Sequence, residues 1–350
     1  MIALRCAPPH APATEVLLAV DTTRDLDGML ARLGKGRARF ALIDARVDAL
    51  HTAALRGLEP RVTVSGGEAA KTFSVLEGVL RALARAEVDR DTVLVVVGGG
   101  SVGDLGGLAA SLYARGLDFV LLPTTLLAMV DSSVGGKTAI DLPEGKNLVG
   151  TFHPARLVLL DLAFLRTLPE IEFRSGLGEL LKVALGLSAE LFALLEANAD
   201  AVLARDPHTL AQCVRLALSA KIALVESDFH ERGVRRLLNL GHSLGHALEA
   251  HGGYTLPHGI AVARGLHFAL RVAAQDSHLA AANVARARQL LARYGFQEDP
   301  LPPTAELLPF LRRDKKVRGD GIHFVVPTAI GASTTVFLSW PVLATALGPA

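Results

Sequence analysis

The 350-residue sequence is poor in cysteine and in aromatic residues. Its two cysteines, Cys6 and Cys213, are far apart and fit no CxxC spacing, which argues against a disulfide framework and favours a reducing compartment. Phenylalanine, tyrosine and tryptophan make up 5% of the chain, although 50% of it is hydrophobic. The core must therefore consist mainly of alanine, leucine and valine, which suits helices and buried parallel strands.

The chain also lacks an excess of one charge and lacks long hydrophobic runs. Its formal net charge is +1 and its basic residues are scattered, which argues against a nucleic-acid groove or an acidic membrane surface as partner. The apolar stretch 117–130 is interrupted by Pro123 and is shorter than the roughly 18 residues of a membrane helix. The N-terminus shows no secretory signal pattern. We expect a soluble, cytoplasmic protein that acts on a small molecule.

The first half of the sequence alternates strand and helix patterns, and the chain is long enough for two domains of roughly 150 residues. Apolar, β-branched runs predict strands, and helical spacing predicts the segments between them. The predicted strands are 15–20, 38–44, 61–65, 92–100, 118–123 and 157–162, and the predicted helices are 24–33, 71–87 and 102–114. This alternation predicts a parallel α/β sheet in a nucleotide-binding domain over residues 1–167.

The second half is predicted to be a mostly α-helical domain, residues 168–350. Strand patterns there are confined to 322–327 and 334–339, which can pair around the turn AIGAS. We expect a cleft between the two domains. The predicted helices are 173–186, 188–204, 207–226, 235–251, 259–275 and 280–295.

Three motifs in the first half are candidates for binding a phosphorylated ligand. The segment 95–107, VVVGGGSVGDLGG, runs from a strand through glycines into a helix, where backbone N–H groups can meet a pyrophosphate. The segment 66–71, GGEAAK, carries an acid and a lysine at a helix start, which alone is more typical of capping. The segment 123–150 combines hydroxyl residues, an aspartate, glycines and two lysines in short loops, which favours a phosphate or carboxylate site.

The second half contains a candidate metal site. The motif LNLGHSLGHALEA places His242 and His246 four residues apart on one helical face, and His258 follows in TLPHGIAV. Glu179 and Lys182 lie three residues apart in an apolar helix, where buried charges need partners or a metal. Two imidazoles and a carboxylate match the ligands of catalytic zinc. The residues alone leave open whether His246 or His258 completes the set.

Together these motifs resemble the 3-dehydroquinate synthase family. The shared motifs occur in one order between residues 66 and 326, and the first 60 residues match only in strand–helix rhythm. The motifs are GEAAK, GGGSVGDLGG, YARG, PTTLLAMVDSSVGGK, GKNLVG, LRTLP, GLGELLKVAL, RRLLNLGHSLGHALE and PHGIAV. The resemblance implies an NAD- and metal-dependent lyase of the shikimate pathway, which makes 3-dehydroquinate and phosphate from 3-deoxy-D-arabino-heptulosonate 7-phosphate.

The resemblance also implies roles for individual residues. It assigns zinc or cobalt to Glu179, His242 and His258, and makes His246 a proton-managing neighbour of the substrate. Arg115 in YARG would contact the substrate phosphate from the partner subunit of a homodimer. The residues implied at the substrate are Asp131, Lys137, Asn147, Lys182, Lys221, Arg235, Asn239 and a lysine of the 315–316 pair, Lys315. The residues implied in NAD binding are Gly66, Gly67, Glu68, Ala69, Ala70, Lys71, Gly100, Ser101, Val102, Gly103, Asp104, Thr124, Thr125, Lys137, Lys146, Phe164, Leu165, Arg166 and Thr167.

Two positions depart from the family pattern. Ile260 stands where a glutamate usually follows the third metal ligand, and Phe229 stands where an acidic residue is usual, so a hydrogen bond near the metal could be missing. Three alternatives remain: a sister sugar-phosphate cyclase whose substrate has no carboxylate, a non-catalytic NAD-binding relative, and a metal-dependent polyol dehydrogenase. Arg235, Lys137 and Asn239 favour a substrate with a carboxylate.

Overall fold

The computed structural model describes residues 1–21, 25–34, 36–275, 278–313 and 316–348. They form two compact units, which comprise Met1–Pro169 with Ile222–His230, and Glu170–Lys221 with Glu231–Ala350. The first unit is α/β and the second is mostly helical, so the predicted fold class is confirmed. Among the described residues, no helix combines the length and the apolar character needed to cross a membrane.

A seven-stranded sheet forms the centre of the first unit. The strands of this unit are β1 (Ile2–Cys6), β2 (Thr14–Ala19), β3 (Arg39–Asp44), β4 (Arg61–Val64), β5 (Val93–Gly98), β6 (Phe119–Pro123), β7 (Lys137–Leu142), β8 (Gly145–Phe152) and β9 (Leu157–Asp161). The order in the seven-stranded sheet is β1-β2-β9-β6-β5-β3-β4, and every neighbouring pair is parallel except β1 with β2. Strands β5, β6 and β9 are buried along their whole length, as expected for the middle of a sheet that is covered on both faces.

The sheet order reverses between β3 and β5. From β3 the chain continues to β4 on one side, whereas from β5 it continues to β6 on the other side. In open α/β sheets, ligands bind beyond the carboxyl ends of the strands at such a reversal. The helices of this unit are α1 (Leu26–Leu30), α2 (Ala45–Leu50), α3 (Phe73–Arg85) and α4 (Gly100–Leu112).

The segment 123–150, which was predicted to consist of short loops, is largely regular structure, and that prediction is wrong. Ala128–Ser132 forms a π-helical turn, and β7 and β8 form an antiparallel hairpin that packs on α4 through β7. The hairpin escapes a pattern search because β8 is half-exposed and contains Gly150, where a β-carbon would overlap the backbone oxygen of Thr138.

The second unit consists of helices and one small antiparallel sheet. The predicted strand pair at 322–327 and 334–339 is confirmed, with Ile322 opposite Leu338. The helices are α5 (Glu170–Leu187), α6 (Ala189–Ala197), α7 (Ala199–Leu203), α8 (Pro207–Ser227, whose residues from Ile222 onward belong to the first unit), α9 (His242–His251), α10 (His258–Gln275), α11 (Ala281–Arg293), α12 (Thr304–Leu311) and α13 (Trp340–Leu347), and the strands are β10 (Val317–Arg318), β11 (Gly321–Ala329) and β12 (Ala332–Ser339).

The single helix predicted over 235–251 is wrong. Gly241 has a φ of +78°, in the left-handed region, and this ends the regular run, so Val234–Asn239 forms a separate 3-10 helix. A β-carbon on Gly241 would lie 2.8 Å from the backbone oxygen of Val262 on α10. The residues before Gly241 therefore do not continue the helical face that carries the two histidines of α9.

Helices α5, α9 and α10 meet at glycines. A β-carbon on Gly259 would overlap the backbone oxygen of Ser175, and one on Gly178 would overlap the backbone oxygen of Gly259. The same holds for Gly265 of α10 against the backbone of Gly241, immediately before α9. The N–H of Gly259 also donates to the Ser175 hydroxyl oxygen at 3.0 Å. The backbones of α5 and α10 are therefore in direct contact, with no room for a side chain.

We expect Gly259→Ala to lower the free energy of unfolding by about 1–3 kcal/mol, because the added methyl group must push α10 away from α5. Gly78→Ala is the matched control, since Gly78 is an exposed helical glycine whose β-carbon would meet no atom within 4 Å. It should stabilise the protein by roughly 0.5–1 kcal/mol. Urea denaturation of both variants checks this pair. Equal stability of the two variants would contradict the close contact of α5 and α10.

Candidate active site

A cleft in the first unit opens at the carboxyl ends of β5 and β6. Its lining includes Gly98, Gly100 and Gly103 from the strand end and the first turn of α4. A β-carbon on Gly100 would lie 3.0 Å from the hydroxyl oxygen of Ser132, so a side chain there would narrow the cleft. The glycines leave the N-terminal N–H groups of the 13-residue helix α4 accessible, which suits a pyrophosphate.

The predicted cofactor loop 66–71 lies against the end of β3. A side chain on Gly66 would overlap the carboxylate of Asp44, the last residue of β3. Residues Glu68–Ala70 form one 3-10 turn, and α3 begins only at Phe73, so the acid and the lysine of this motif precede the helix. The loop follows β4, which lies next to β3, and β3 is one of the two strands between which the sheet order reverses.

Lys71 is held inside this region. Its ammonium nitrogen lies 2.8 Å from Asp104 Oδ2 and 3.8 Å from Asp141 Oδ1, donates to Asn147 Oδ1, and is only 3% exposed. Burial acts to lower the pKa of Lys71, but the nearby carboxylates, with Asp104 foremost, outweigh it and raise the pKa. The lysine thus stays charged and ties the loop 66–71, helix α4 and the β7–β8 hairpin together.

The remaining residues assigned to the cofactor are distributed around the same strand ends. Val102 is fully buried, and its side chain packs against Gly98. Lys137 is exposed at the cleft, and Lys146 Nζ lies 3.8 Å from Glu68 Oε1.

The two threonines follow the end of β6. Thr124 donates its N–H to the carbonyl of Gly98 at 2.9 Å, and Thr125 is the next residue along the chain. Ser101, Gly103 and Asp104 belong to the first turns of α4, Asp131 to the π-helical turn, and Asn147 to β8.

Two predicted elements are not part of the lining of the glycine-rich cleft. The segment 164–167 follows β9, where the Phe164 ring contacts His51 with ring centroids 4.8 Å apart and Thr167 Oγ1 lies 2.7 Å from His51 Nε2. Arg115 is exposed beyond the C-terminal end of α4, about 20 Å from the glycines at its start.

The second unit brings the predicted metal ligands together. Glu179 Oε1 of α5 lies 3.8 Å from His242 Nε2 of α9 and 3.5 Å from His258 Nε2 of α10. One ring nitrogen from each of His242, His246 and His258 also lies within 4.8 Å of the others. Glu179 is fully buried and His242 is buried, whereas His246 is exposed. The carboxylate therefore forms the floor of the cluster, and His246 stands at its open side.

The other ring nitrogens of the two deeper histidines are occupied. His242 Nδ1 donates to the backbone carbonyl of Leu240 at 3.2 Å, and His258 Nδ1 lies 3.1 Å from Glu249 Oε2. In both rings this leaves Nε2 directed at Glu179. Metal-binding histidines are usually held in this way, with one nitrogen hydrogen-bonded and the other facing the ion.

The electrostatics of the cluster suit a cation. Burial keeps the pKa of His242 well below its ordinary value, although Glu179 opposes this, so this ring is neutral at pH 7. Burial acts to lower the pKa of His258 as well, but hydrogen bonds to Glu179 and Glu249 outweigh it and raise the pKa to about 10. Lys182 Nζ lies 2.6 Å from Glu179 Oε2, and both side chains are buried. One carboxylate and two imidazoles around one point fit a divalent metal, which would take the place of the His258 proton.

Arg235 and Asn239 lie on the 3-10 helix Val234–Asn239, which packs on α5. Arg235 is 2% exposed, and Asn239 Nδ2 donates to Glu231 Oε1 at 2.7 Å. Lys221 is a buried residue of α8. Lys315 lies outside the described residues, so its predicted role stays a prediction.

Sequence reasoning missed two acids in this unit, Glu249 and Glu231. Glu249 lies seven residues after His242 and three after His246 on α9, so helical spacing was an available signal for it. Glu231 carried no such signal, because its contact with Asn239 depends on the turn before the 3-10 helix.

The two departures from the family pattern are accommodated differently. Phe229 belongs to the first unit and packs with Phe152 and His230, at ring-centroid distances of 5.5 Å and 5.2 Å. An apolar cluster thus occupies the position of the usual acid. Ile260 is half-buried in the first turn of α10, two residues after His258.

Comparison with known proteins identifies the family. The model of the 3-dehydroquinate synthase N-terminal part matches residues 61–175, and that of the C-terminal part matches residues 176–317. The chain belongs to the 3-dehydroquinate synthase family.

Solved structures of similar proteins agree with this. The chain is 29% identical to the 2-epi-5-epi-valiolone synthase ValA from Streptomyces hygroscopicus subsp. jinggangensis 5008, solved with NAD+ and Zn2+ bound, with a TM-score of 0.85 and 95% of each chain covered. A 2-deoxy-scyllo-inosose synthase complexed with carbaglucose-6-phosphate, NAD+ and Co2+ has a TM-score of 0.89 at 23% identity, with 99% of each chain covered. A probable glycerol dehydrogenase from Sinorhizobium meliloti 1021 has a TM-score of 0.70 at 16% identity, with 97% of each chain covered. The inosose synthase and the glycerol dehydrogenase are less than 25% identical to the chain, so these two similarities show a shared fold alone.

Proposed function

We propose that the chain is an NAD- and divalent-metal-dependent sugar-phosphate cyclase, specifically a 3-dehydroquinate synthase that converts 3-deoxy-D-arabino-heptulosonate 7-phosphate to 3-dehydroquinate and phosphate. The cluster of Glu179, His242 and His258 carries this proposal, because a plain nucleotide-binding fold has no need of it. Family membership and the similarity to a cyclase that binds NAD+ and Zn2+ support it.

Glu179, His242 and His258 would hold the metal, and the first unit would hold NAD. When bound, NAD supplies a reversible hydride acceptor and the metal, zinc or cobalt, supplies Lewis acidity. His246, at the open side of the cluster, is placed to exchange a proton with a substrate oxygen. Lys182 balances the charge of Glu179 and offers an N–H to the same region.

In the first unit, the glycines at the start of α4 would receive the pyrophosphate, and Lys137 and Lys146 would contact anionic groups of the ligands. The motif GGEAAK suggests that Lys71 contacts a phosphate, but we propose a different role for it. Since its ammonium group already binds Asp104 and Asn147, it would shape the cleft rather than contact the cofactor.

Recognition of a sugar acid would rest on Arg235. A guanidinium offers two parallel N–H donors, which match a carboxylate, and Arg235 is almost completely buried, where such a contact is strong. Asn239 and Lys221 would add contacts to hydroxyl or anionic groups. We further propose a cytoplasmic homodimer in which Arg115 of one copy serves the site of the other, which is the role that the family resemblance implies for this arginine.

A sister cyclase that acts on a sugar phosphate without a carboxylate is the second candidate. The similarity to a 2-epi-5-epi-valiolone synthase favours it, and that similarity spans nearly the whole chain. The two candidates share the fold, the cofactors and the metal site, so they differ only in the groups that face the substrate.

Phosphate release distinguishes these candidates when the heptulosonate phosphate and sedoheptulose 7-phosphate are assayed side by side. We expect release from the sugar acid only, with NAD needed in catalytic amounts and no accumulation of NADH, because the hydride returns to the same substrate. A chelator should stop the reaction, and zinc or cobalt should restore it. Steady NADH production would indicate a dehydrogenase, and faster release from sedoheptulose 7-phosphate would indicate a sister cyclase.

Arg235→Ala should lower kcat/KM for the sugar acid by about 30- to 4000-fold, the equivalent of roughly 2–5 kcal/mol for a buried charged contact. Arg235→Lys should recover part of this loss, since an ammonium group cannot form both parallel bonds. Arg236→Ala is the matched control, because Arg236 is the exposed neighbour on the same 3-10 helix. Initial rates and NAD titrations of the three variants check this. Similar kcat/KM values for Arg235→Ala and Arg236→Ala would rule out carboxylate recognition by Arg235.

A further inference from the structure

One buried acid lies beside the metal cluster without being one of its proposed ligands. Glu249 of α9 is 3% exposed, and its Oε2 lies 3.1 Å from His258 Nδ1. A carboxylate is removed from water at a cost of several kcal/mol unless a charged or hydrogen-bonded partner compensates. The Nδ1–H of His258 provides such a partner.

The contact fixes which nitrogen of His258 faces the cluster. A carboxylate only accepts hydrogen bonds, so Nδ1 must carry the proton and Nε2 is turned towards Glu179 Oε1, 3.5 Å away. His242 is oriented likewise, but by the backbone carbonyl of Leu240. At Nδ1, therefore, His258 meets a charged carboxylate, whereas His242 meets a neutral backbone carbonyl.

We propose that Glu249 is a positioning residue for the metal site, which holds the His258 ring in the tautomer that presents Nε2 to the metal and increases its donor strength. This role rests on the proposed metal site. Carboxylate–histidine pairs next to a metal commonly act in this way. Glu249 also supplies a carboxylate beside His258 in a chain that has Ile260, rather than an acid, in the same first turn of α10.

Glu249 shares helix α9 with one of the proposed metal ligands. His242 and Glu249 are seven residues apart, two helical turns, and so lie on one face of the helix. The same helix therefore supplies one metal-facing histidine and orients a second one on α10. A shift of α9 would disturb both histidines at once.

The test measures Co2+ binding rather than turnover. Glu249→Gln keeps the size of the side chain but removes its charge, and we expect it to lower the affinity for Co2+ by about 10- to 100-fold and to change the visible Co2+ absorption spectrum. Glu249→Asp, which retains the charge, should recover part of the affinity. Titration of the protein in competition with a chromophoric chelator gives these values.

Glu306→Gln is the matched control. Glu306 Oε2 lies 2.8 Å from His251 Nε2 at the end of the same helix α9, but this pair is partly exposed and His251 is not in the metal cluster. We expect its Co2+ affinity and spectrum to equal those of the wild type. Equal affinities for Glu249→Gln and Glu306→Gln would overturn the positioning role. If the wild type binds no Co2+, the metal site and the proposed function fail together.

A measurement on the wild type covers the case in which Glu249→Gln does not fold. In the zinc-loaded protein with 15N-labelled histidine, the NMR spectrum should show His258 protonated at Nδ1 and bound to zinc through Nε2. Zinc bound through Nδ1 would overturn the role of Glu249.

Discussion

The direct backbone contact between α5 and α10 is the constraint on which the rest of the site depends. It occurs at Gly178 and Gly259, and each of these glycines is the chain neighbour of a residue in the cluster, Glu179 or His258. Any side chain at the contact would separate the two helices. The distance between a carboxylate on one helix and an imidazole on the other is thus set by rigid elements rather than by loops, which is how proteins hold metal ligands accurately.

The buried charges of the apolar helix α5 are tolerated because neighbouring side chains compensate for them. Glu179 and Lys182 are both buried and lie 2.6 Å apart, and the carboxylate faces two imidazoles as well. An isolated buried carboxylate would be strongly unfavourable, but these neighbours offset its lost hydration, and the proposed cation would add to this. The same arrangement leaves His246 at the open side, where a substrate can reach it.

Local pattern in the sequence predicts much of the fold and part of the site. The buried strands β5, β6 and β9 and the helical second half follow from hydrophobic runs and helical spacing, and His242 and His246 share a helix as their spacing predicts. The β7–β8 hairpin and the break at Gly241 depend on contacts between distant segments, so local pattern could not reveal them. Glu249 lies at helical spacing from His242 and His246, so its place on α9 could be read from the sequence, but its contact with His258 on another helix could not. Glu179 was proposed as a ligand because it is a charged residue in an apolar helix, whereas the choice of His258 over His246 came from the family resemblance.

Anomalous diffraction at the cobalt edge, from crystals of the Co2+-loaded protein, tests the central claim most directly. The account predicts one strong peak bonded to a carboxylate oxygen of Glu179 and to Nε2 of His242 and His258, at about 2.0–2.2 Å. His246 should lie outside bonding distance on the open side. A peak bonded to the three histidines instead, with Glu179 bound only to Lys182, would contradict it.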